Sequence, residues 1–391
     1  MPFTLVHARR VLSQVHGFTS LRKGEEGIEE FFQRHKCIQQ DPIDVAGRNA
    51  DLTLVSRVSD YRQEYLYSLL YSKRRLFEYF CKMMSVLPVE TFPLFRHKMK
   101  AFEKKVAPFF KEHRREARQV LHAAERGPVS SRELEDFGKS EWGWGRPTKI
   151  SNILLTRLWV CGRLMVHHRE GALKYYALTE DIIPGNMLTA SPPKKGEDGK
   201  EIAWVIISSS RLVSPSKAPE QWYDVGKTGE VKRILSELES EEKVFSLKIE
   251  GYKDTLYAPM EDKDIWENPS SREEDFVRFM APLDPLLWNR FLFNSLYDTD
   301  YRWEVYKKPH ERKYGYYCLP ILFDDNIVGY IDPFFRRKEG ILEVRNVHIF
   351  SERIDRKRFE EAFSREMERF LEYLGGKGLR IRKGRKWFPA Q

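Results

Sequence analysis

The residues Cys37-Ile38-Gln39-Gln40-Asp41-Pro42-Ile43-Asp44 place the pair best suited to chemistry in this chain. Cys37 to Gln40 suit a strand, and Asp41-Pro42 is a helix-start signal. Residues two apart on a strand share a face. Gln39 and Asp41 are therefore expected to present an amide and a carboxylate side by side at a strand-to-helix junction. Such a pair can hold and polarise one water molecule. The same run also reads as a plain helix cap, with Asp41 at the N-cap, Pro42 at N1 and Asp44 at N3. Spacing alone leaves both readings open.

Other catalytic patterns are missing from the sequence. It has no Gly-rich phosphate loop, no GxSxG and no His pair at metal spacing, since His167 and His168 are adjacent and face apart on a strand. Cys37, Cys81, Cys161 and Cys318 lie far apart with no CxxC pair. That argues against a zinc finger or iron–sulfur cluster and fits a reducing cytoplasm. Lys plus Arg number 67 against 58 Asp plus Glu, a net charge of +9, which favours a polyanionic partner. The run from Lys377 to Gln391 carries Lys377, Arg380, Arg382, Lys383, Arg385 and Lys386 and no acid. No stretch approaches the roughly 20 apolar residues that cross a bilayer, and no signal peptide is evident, so a cytoplasmic protein is expected.

The elements that must position the pair follow from periodicity. Helices are expected over 4–16 and 25–36, then the strand at 37–40 and a helix from Pro42 to about Ser59, in which Val45, Leu52 and Val55 step at helical intervals. Two helices, a strand and a third helix make a winged-helix unit, with 63–90 as its hairpin wing. A charged helix from Phe95 to about Glu125 leads away. An internal repeat follows: Leu155, Leu158, Leu164 and Gly171 recur 80 residues later as Leu235, Leu238, Val244 and Gly251. Ser130-Ser131-Arg132-Glu133-Leu134 and Ser214-Pro215-Ser216-Lys217-Ala218 look like matching helix starts. From Pro282 a three-stranded antiparallel sheet is expected, over 316–323, 327–334 and 341–350, closed by a helix from Arg356 to Leu374. The fold class is thus α+β, mainly helical: three tandem winged-helix units (1–118, 119–190, 191–271) followed by an antiparallel sheet-and-helix cap (272–391).

The run Ile38-Gln39-Gln40-Asp41-Pro42-Ile43-Asp44-Val45, followed by Arg48, Asp51-Leu52 and Ser56-Arg57, resembles the N-terminal signature of the YcaQ/AlkZ winged-helix DNA glycosylases. The likeness returns, in the family's order, at Lys73-Arg74-Arg75-Leu76-Phe77-Glu78-Tyr79, Leu87-Pro88-Val89-Glu90, Trp142-Gly143-Trp144 and Gly162-Arg163-Leu164-Met165-Val166. It continues at Pro282-Leu283-Asp284-Pro285-Leu286-Leu287-Trp288-Asn289-Arg290 and Tyr314-Gly315-Tyr316-Tyr317-Cys318-Leu319-Pro320. The resemblance implies an enzyme that removes N7-alkylated purines from double-stranded DNA and unhooks interstrand crosslinks. It further implies that the first unit turns the strand-to-helix corner toward the lesion. Asp41 would then stabilise the oxocarbenium ion and help deprotonate water, while Gln39 orients that water. This sequence departs from the family at Gln40, usually apolar, at Ala50, commonly His, and at Lys82-Met83, often His-Glu.

Candidate DNA contacts group into four sets. Arg48, Asn49 and Arg57 lie on the helix after Asp41. Lys73, Arg74 and Arg75 sit beside Tyr67, Tyr71, Phe77 and Tyr79, although Phe77 and Tyr79 read better as core. Arg146 and Lys149, after Trp142 and Trp144, precede a helix start and suit phosphate. Arg302, Arg312 and Tyr314 belong to the densest basic–aromatic segment, and Arg336, Arg337 and Lys338 to the next turn of the same sheet. A monofunctional hydrolase without a cofactor, acting as a monomer, is expected. The rivals are a non-catalytic multi-winged-helix DNA-binding regulator, which lacks an evident dimer helix here, and a nuclease, for which Asp41, Asp44 and Asp51 spread round a helix are a poor Mg²⁺ site.

Overall fold

The computed structural model describes residues 2–142, 146–218, 220–271, 274–350 and 354–381. It is a mixed α/β chain of two compact units, Met1–Leu66 with Ala203–Gln391, and Tyr67–Ile202.

In the first unit the helix Leu5–Val15 opens at Thr4, whose hydroxyl accepts from the His7 amide at 3.1 Å. Its apolar stripe, Ala8, Val11, Leu12 and Val15, enters a core shared with Phe18, Leu256, Ala258, Leu322, Ile327 and Tyr330. The helix Gly24–His35 carries Glu25 and Glu26 in its first turn and Arg34 and His35 in its last, the charge order its dipole favours. Lys36, left-handed at φ +58°, ends it and turns the chain into the short strand Ile38–Gln39.

The helix expected from Pro42 to Ser59 forms only over Asn49–Val55. Amides of the preceding stretch find acceptors outside a helix: Ile43 N–H on Asp41 Oδ1 (2.9 Å) and Gly47 N–H on Asp44 Oδ1 (3.1 Å). Short aspartate side chains compete with helical bonds in this way. Gly47 itself sits at φ +113°, where a Cβ would meet the Tyr373 hydroxyl at 2.6 Å. The Val45 carbonyl is taken by the Phe335 amide at 3.0 Å, which ties this loop to the C-terminal sheet.

That sheet has five strands rather than three, ordered Val277–Phe279, Leu319–Phe323, Asn326–Arg336, Ile341–Ile349 and Gly378–Ile381. The three long strands pair antiparallel, as expected, and Asp324 at φ +54° makes the first hairpin turn. The two extra strands are short edges, and Gly378–Ile381 runs parallel to its neighbour. The closing helix Arg356–Tyr373 packs Phe359, Phe363, Met367 and Phe370 inward.

The repeat is visible as helix, strand, glycine turn and strand. The second unit holds Ile150–Val160, Leu164–Glu170 and Leu173–Leu178, with Gly171 at φ +61°. The first unit holds Thr228–Ser240, Val244–Leu247 and Leu256–Pro259, with Gly251 at φ +76°. Each hairpin takes an upstream bridge at the equivalent tyrosine, Val129 to Tyr176 and Val213 to Tyr257. Helices expected to start at Ser130 and Ser214 are only turns. Ser130 N–H bonds Glu133 Oε2 at 2.8 Å, and Lys217 is left-handed at φ +60°.

The second unit also contains the hairpin Leu76–Phe80/Met84–Pro88, within the expected 63–90. The long charged helix breaks at His113 into Arg96–Glu112 and Arg114–Glu125. The same unit holds a buried network in which Glu78 accepts from Arg169 Nε at 2.9 Å and from the Tyr71 hydroxyl at 2.7 Å. Among the described residues no helix is long and apolar enough to cross a membrane.

Candidate active site

The corner at Gln39 is held from beneath. Asn49, fully buried at the start of its helix, donates from Nδ2 to the Gln39 carbonyl at 2.7 Å and accepts from the Leu283 amide at 2.9 Å. One residue on, Asp284 takes both ends of the Arg57 guanidinium, at 2.7 and 2.9 Å. Arg57 also donates to the His16 carbonyl at 2.9 Å and lies over the Phe18 ring at 4.3 Å. Both partners of this ion pair are fully buried. Asn49 and Arg57 thus do not face DNA as expected. A desolvated guanidinium needs its charge matched and its N–H groups bonded, and Asp284 with the His16 and Thr53 carbonyls supplies that inside the core.

Gln39 is only 7 % exposed, and the Oε1 of Gln40, which departs from the family pattern, is buried with no hydrogen-bond partner among the described residues. Asp41 is half-buried. It caps no helix, because the next one begins at Asn49. Burial pushes its carboxyl above the ordinary aspartate value, against the smaller opposing effect of the Ile43 amide. Among the described residues no cation pairs with it.

The neighbouring acids, Asp44 in the loop and Asp51 in the following helix, both have side-chain partners. Asp44 pairs with Arg337 and, at 3.8 Å, with Arg48. Asp51 is buried and accepts from the Tyr61 hydroxyl at 2.6 Å and from Gln63 at 3.1 Å. Arg48 and Arg337 are therefore partly neutralised by the loop they flank.

Tyr317 belongs to the basic–aromatic segment expected to contact DNA, but the fold turns it inward. It is fully buried, and its hydroxyl has no hydrogen-bond partner among the described residues. Burial, then the negative charge of Asp41, raises its phenol well above the ordinary value. Asp332 fixes its backbone by accepting from the Tyr316 and Tyr317 amides at 3.3 and 3.0 Å. A side chain at Gly315 would collide with that carboxylate. The signal in the sequence was Gly315 within an aromatic run, opposite Asp332-Pro333.

The remaining expected DNA contacts divide. Lys73 and Arg75 are exposed, whereas Arg74 is half-buried, left-handed at φ +52°, and donates to the His167 carbonyl at 2.9 Å. Lys149 is exposed beside its helix start, while the side chains of Trp142 and Arg146, with all of Trp144, lie outside the described residues, as do the tail cations beyond Ile381. Arg302 and Lys338 are exposed. Arg312 donates to the Lys307 carbonyl at 3.0 Å and lies over Tyr316 at 4.7 Å. Tyr314 is buried, with its hydroxyl on Asp300 at 2.7 Å, and is no surface contact. Arg336 pairs with Glu343 at 2.6 Å and with Glu339 at 3.6 Å.

Comparison with known proteins agrees with the resemblance in the motifs. Among solved structures, the DNA glycosylase AlkZ of Streptomyces sahachiroi aligns over 98 % of this chain and 100 % of its own, with a TM-score of 0.63 and 12 % identity, a likeness of fold. The sequence profile of the family described as DNA glycosylase AlkZ-like matches residues 32–373, which takes in the Gln39–Asp41 corner and the C-terminal sheet. The chain belongs to the AlkZ-like DNA glycosylase family.

Proposed function

We propose that this DNA glycosylase is a monofunctional hydrolase that cleaves the N-glycosidic bond of N7-alkylated purines in double-stranded DNA and unhooks interstrand crosslinks bridged through them. The observation that carries this reading is Asp41, a half-buried carboxylate with one backbone hydrogen bond and no paired cation among the described residues. Alkylation at N7 makes the base a cationic leaving group. The C1′–N9 bond breaks with its electron pair going to the base, which departs neutral, and positive charge develops on the sugar. An anion at that point stabilises the transition state. Asp41 supplies it, Gln39 orients the attacking water, and the water's proton passes to Asp41 as the new C1′–O bond forms. The products are the free base and an abasic site. No motif positions a lysine for a Schiff base, so strand cleavage is not part of the reaction, and hydrolysis needs no cofactor.

The helix–hairpin repeats at 150–178 and 228–259 support a reading as winged-helix modules that hold the duplex. The rival regulator would explain Asp41 as a helix cap, a duty it does not have. The test is incubation of the purified chain with a duplex containing N7-methylguanine, followed by assays for free base and for alkali-labile abasic sites. Release of base with intact strands before alkali treatment is expected. DNA binding without base release would leave the regulator.

A further inference from the structure

The C-terminal sheet carries a bulge whose extra residue is an arginine. Asp332 pairs with Asn346 and Pro333 with Val344, so Arg345 has no partner across the ladder. Pro333 lacks an N–H to offer, and a bulge re-aims the side chain of its extra residue. The Arg345 guanidinium lies 3.8 Å from the centroid of the Phe334 ring. Arg336 approaches the same ring at 5.8 Å, but two glutamates already match its charge. Arg337 is matched by Asp44. Arg345 makes no hydrogen bond or ion pair among the described residues. It does lie in the field of buried Asp332, whose oxygens receive the Tyr316 and Tyr317 amides.

The position relative to the corner is fixed by the same strand. Phe335, next to Phe334, bonds the Val45 carbonyl at 3.0 Å, and Arg337 holds Asp44. Asp332, opposite the bulge, clamps the backbone of Tyr317, whose phenol senses Asp41. A guanidinium stacked on a ring keeps its N–H edges outward in a fixed fork, the geometry that fits two phosphate oxygens.

We propose that Arg345, stacked on Phe334 at the bulge, binds a phosphodiester of the duplex beside the Gln39–Asp41 corner, a role that falls to Arg345 rather than to Arg336 or Arg337, whose charges are matched by Glu339, Glu343 and Asp44. This rests on the reading of the chain as an enzyme acting on duplex DNA. Phosphate is chosen over a base edge because the stack fixes the fork without any contact that would select a sequence.

The experiment is fluorescence anisotropy with undamaged duplexes of several sequences between about 50 and 200 mM salt. It compares wild type with Arg345→Ala, Arg345→Gln, Arg345→Lys and Arg336→Ala, each checked for an unchanged melting temperature. Loss of one phosphate contact lowers the slope of log affinity against log salt by about 0.9. Arg345→Ala and Arg345→Gln are expected to show that drop on every sequence, with Arg345→Lys close to the wild-type slope and Arg336→Ala unchanged. Gln keeps the length of the side chain, so a folding defect confined to Ala does not decide the matter. Wild-type slopes in both neutral variants, or a drop in Arg336→Ala instead, overturn the Arg345 assignment and leave the glycosylase reading standing. A loss confined to duplexes of one sequence overturns phosphate in favour of a base contact. A wild-type chain that binds no duplex overturns both.

Discussion

Asp41→Asn separates charge from structure at this corner. The Asn side-chain oxygen can still accept from the Ile43 amide, the 2.9 Å bond that shapes the turn, so the loop should persist. What disappears is one negative charge. For a sugar cation about 4 Å away, at an effective dielectric of about 20 suited to a half-buried site, that charge is worth about 4 kcal/mol. At about 1.4 kcal/mol per decade this is roughly a thousandfold in rate. The amide dipole of Asn returns part of it, so single-turnover release of N7-methylguanine should fall by about 10²- to 10³-fold, with binding to undamaged duplex unchanged.

The pH dependence gives a second reading of the same variant. Burial raises the Asp41 carboxyl above its ordinary 3.8, so wild-type excision should fade on the acid side above that value, and the residual rate of Asp41→Asn should lack this limb. For stability the sign is opposite to that of a salt-bridged aspartate. A carboxyl with a raised folded pKa stabilises the fold below its unfolded pKa and loses that contribution as pH rises through the folded value. At neutral pH the ionised group is a net cost. Asp41→Asn should therefore melt at or above the wild-type temperature, with the gap closing below pH 3.8. Excision within threefold of wild type, or a clear drop in melting temperature, would refute this account.

Gln39→Ala should slow base release by at least about tenfold through loss of water positioning, and lower stability by about 1–2 kcal/mol because a buried amide is removed; unchanged release assigns Gln39 to packing alone. Arg57→Ala should cost roughly 3–5 kcal/mol in denaturant unfolding, because it leaves Asp284 buried and unpaired, and a wild-type midpoint would contradict that role. Glu78→Gln should destabilise by a similar roughly 3–5 kcal/mol. Burial alone would raise the Glu78 carboxyl, but the Arg169 hydrogen bonds and charge outweigh it and hold it below the ordinary 4.5. Its contribution is present above the unfolded value and lost as pH falls through the folded one, so the variant's deficit should shrink in acid; a constant deficit counts against the ion pair.

The N-terminal helices, the repeat and the three long strands were legible because each carries several turns or pleats of apolar periodicity. Leu5–Val15 buries residues at helical spacing, and Asn326–Arg336 is flanked by turns with left-handed or glycine residues. The edge strands Val277–Phe279 and Gly378–Ile381 are too short for a period of two to stand out. The failed helix at Pro42 shows another limit. Asp41-Pro42 is a sound local signal, but Gly47 and the tie from Val45 to Phe335 are long-range facts that override it. Charge was the least legible feature. Arg57, Arg74 and Arg336 look alike in sequence to Arg345, and only the fold reveals which acids or carbonyls lie opposite each.

The loss of that helix bears directly on the chemistry. Had it begun at Pro42, the Asp41 carboxylate would face the amides of its first turn, and hydrogen bonds there lower a carboxyl pKa and quiet the charge. The chain instead delays the helix to Asn49 and gives that residue the work of gripping the Gln39 carbonyl and the Leu283 amide. Asp41 is left on a tight turn with a single amide, partly desolvated, between a rigid buried base and a sheet that grips the far side of its loop at Val45 and Asp44. A carboxylate in that state gains more from a transient cation than a capped one does, because little else stabilises its charge. On the proposed mechanism, the same features that break a simple sequence rule would favour the sugar cation over the neutral duplex, and such differential stabilisation is what catalysis requires.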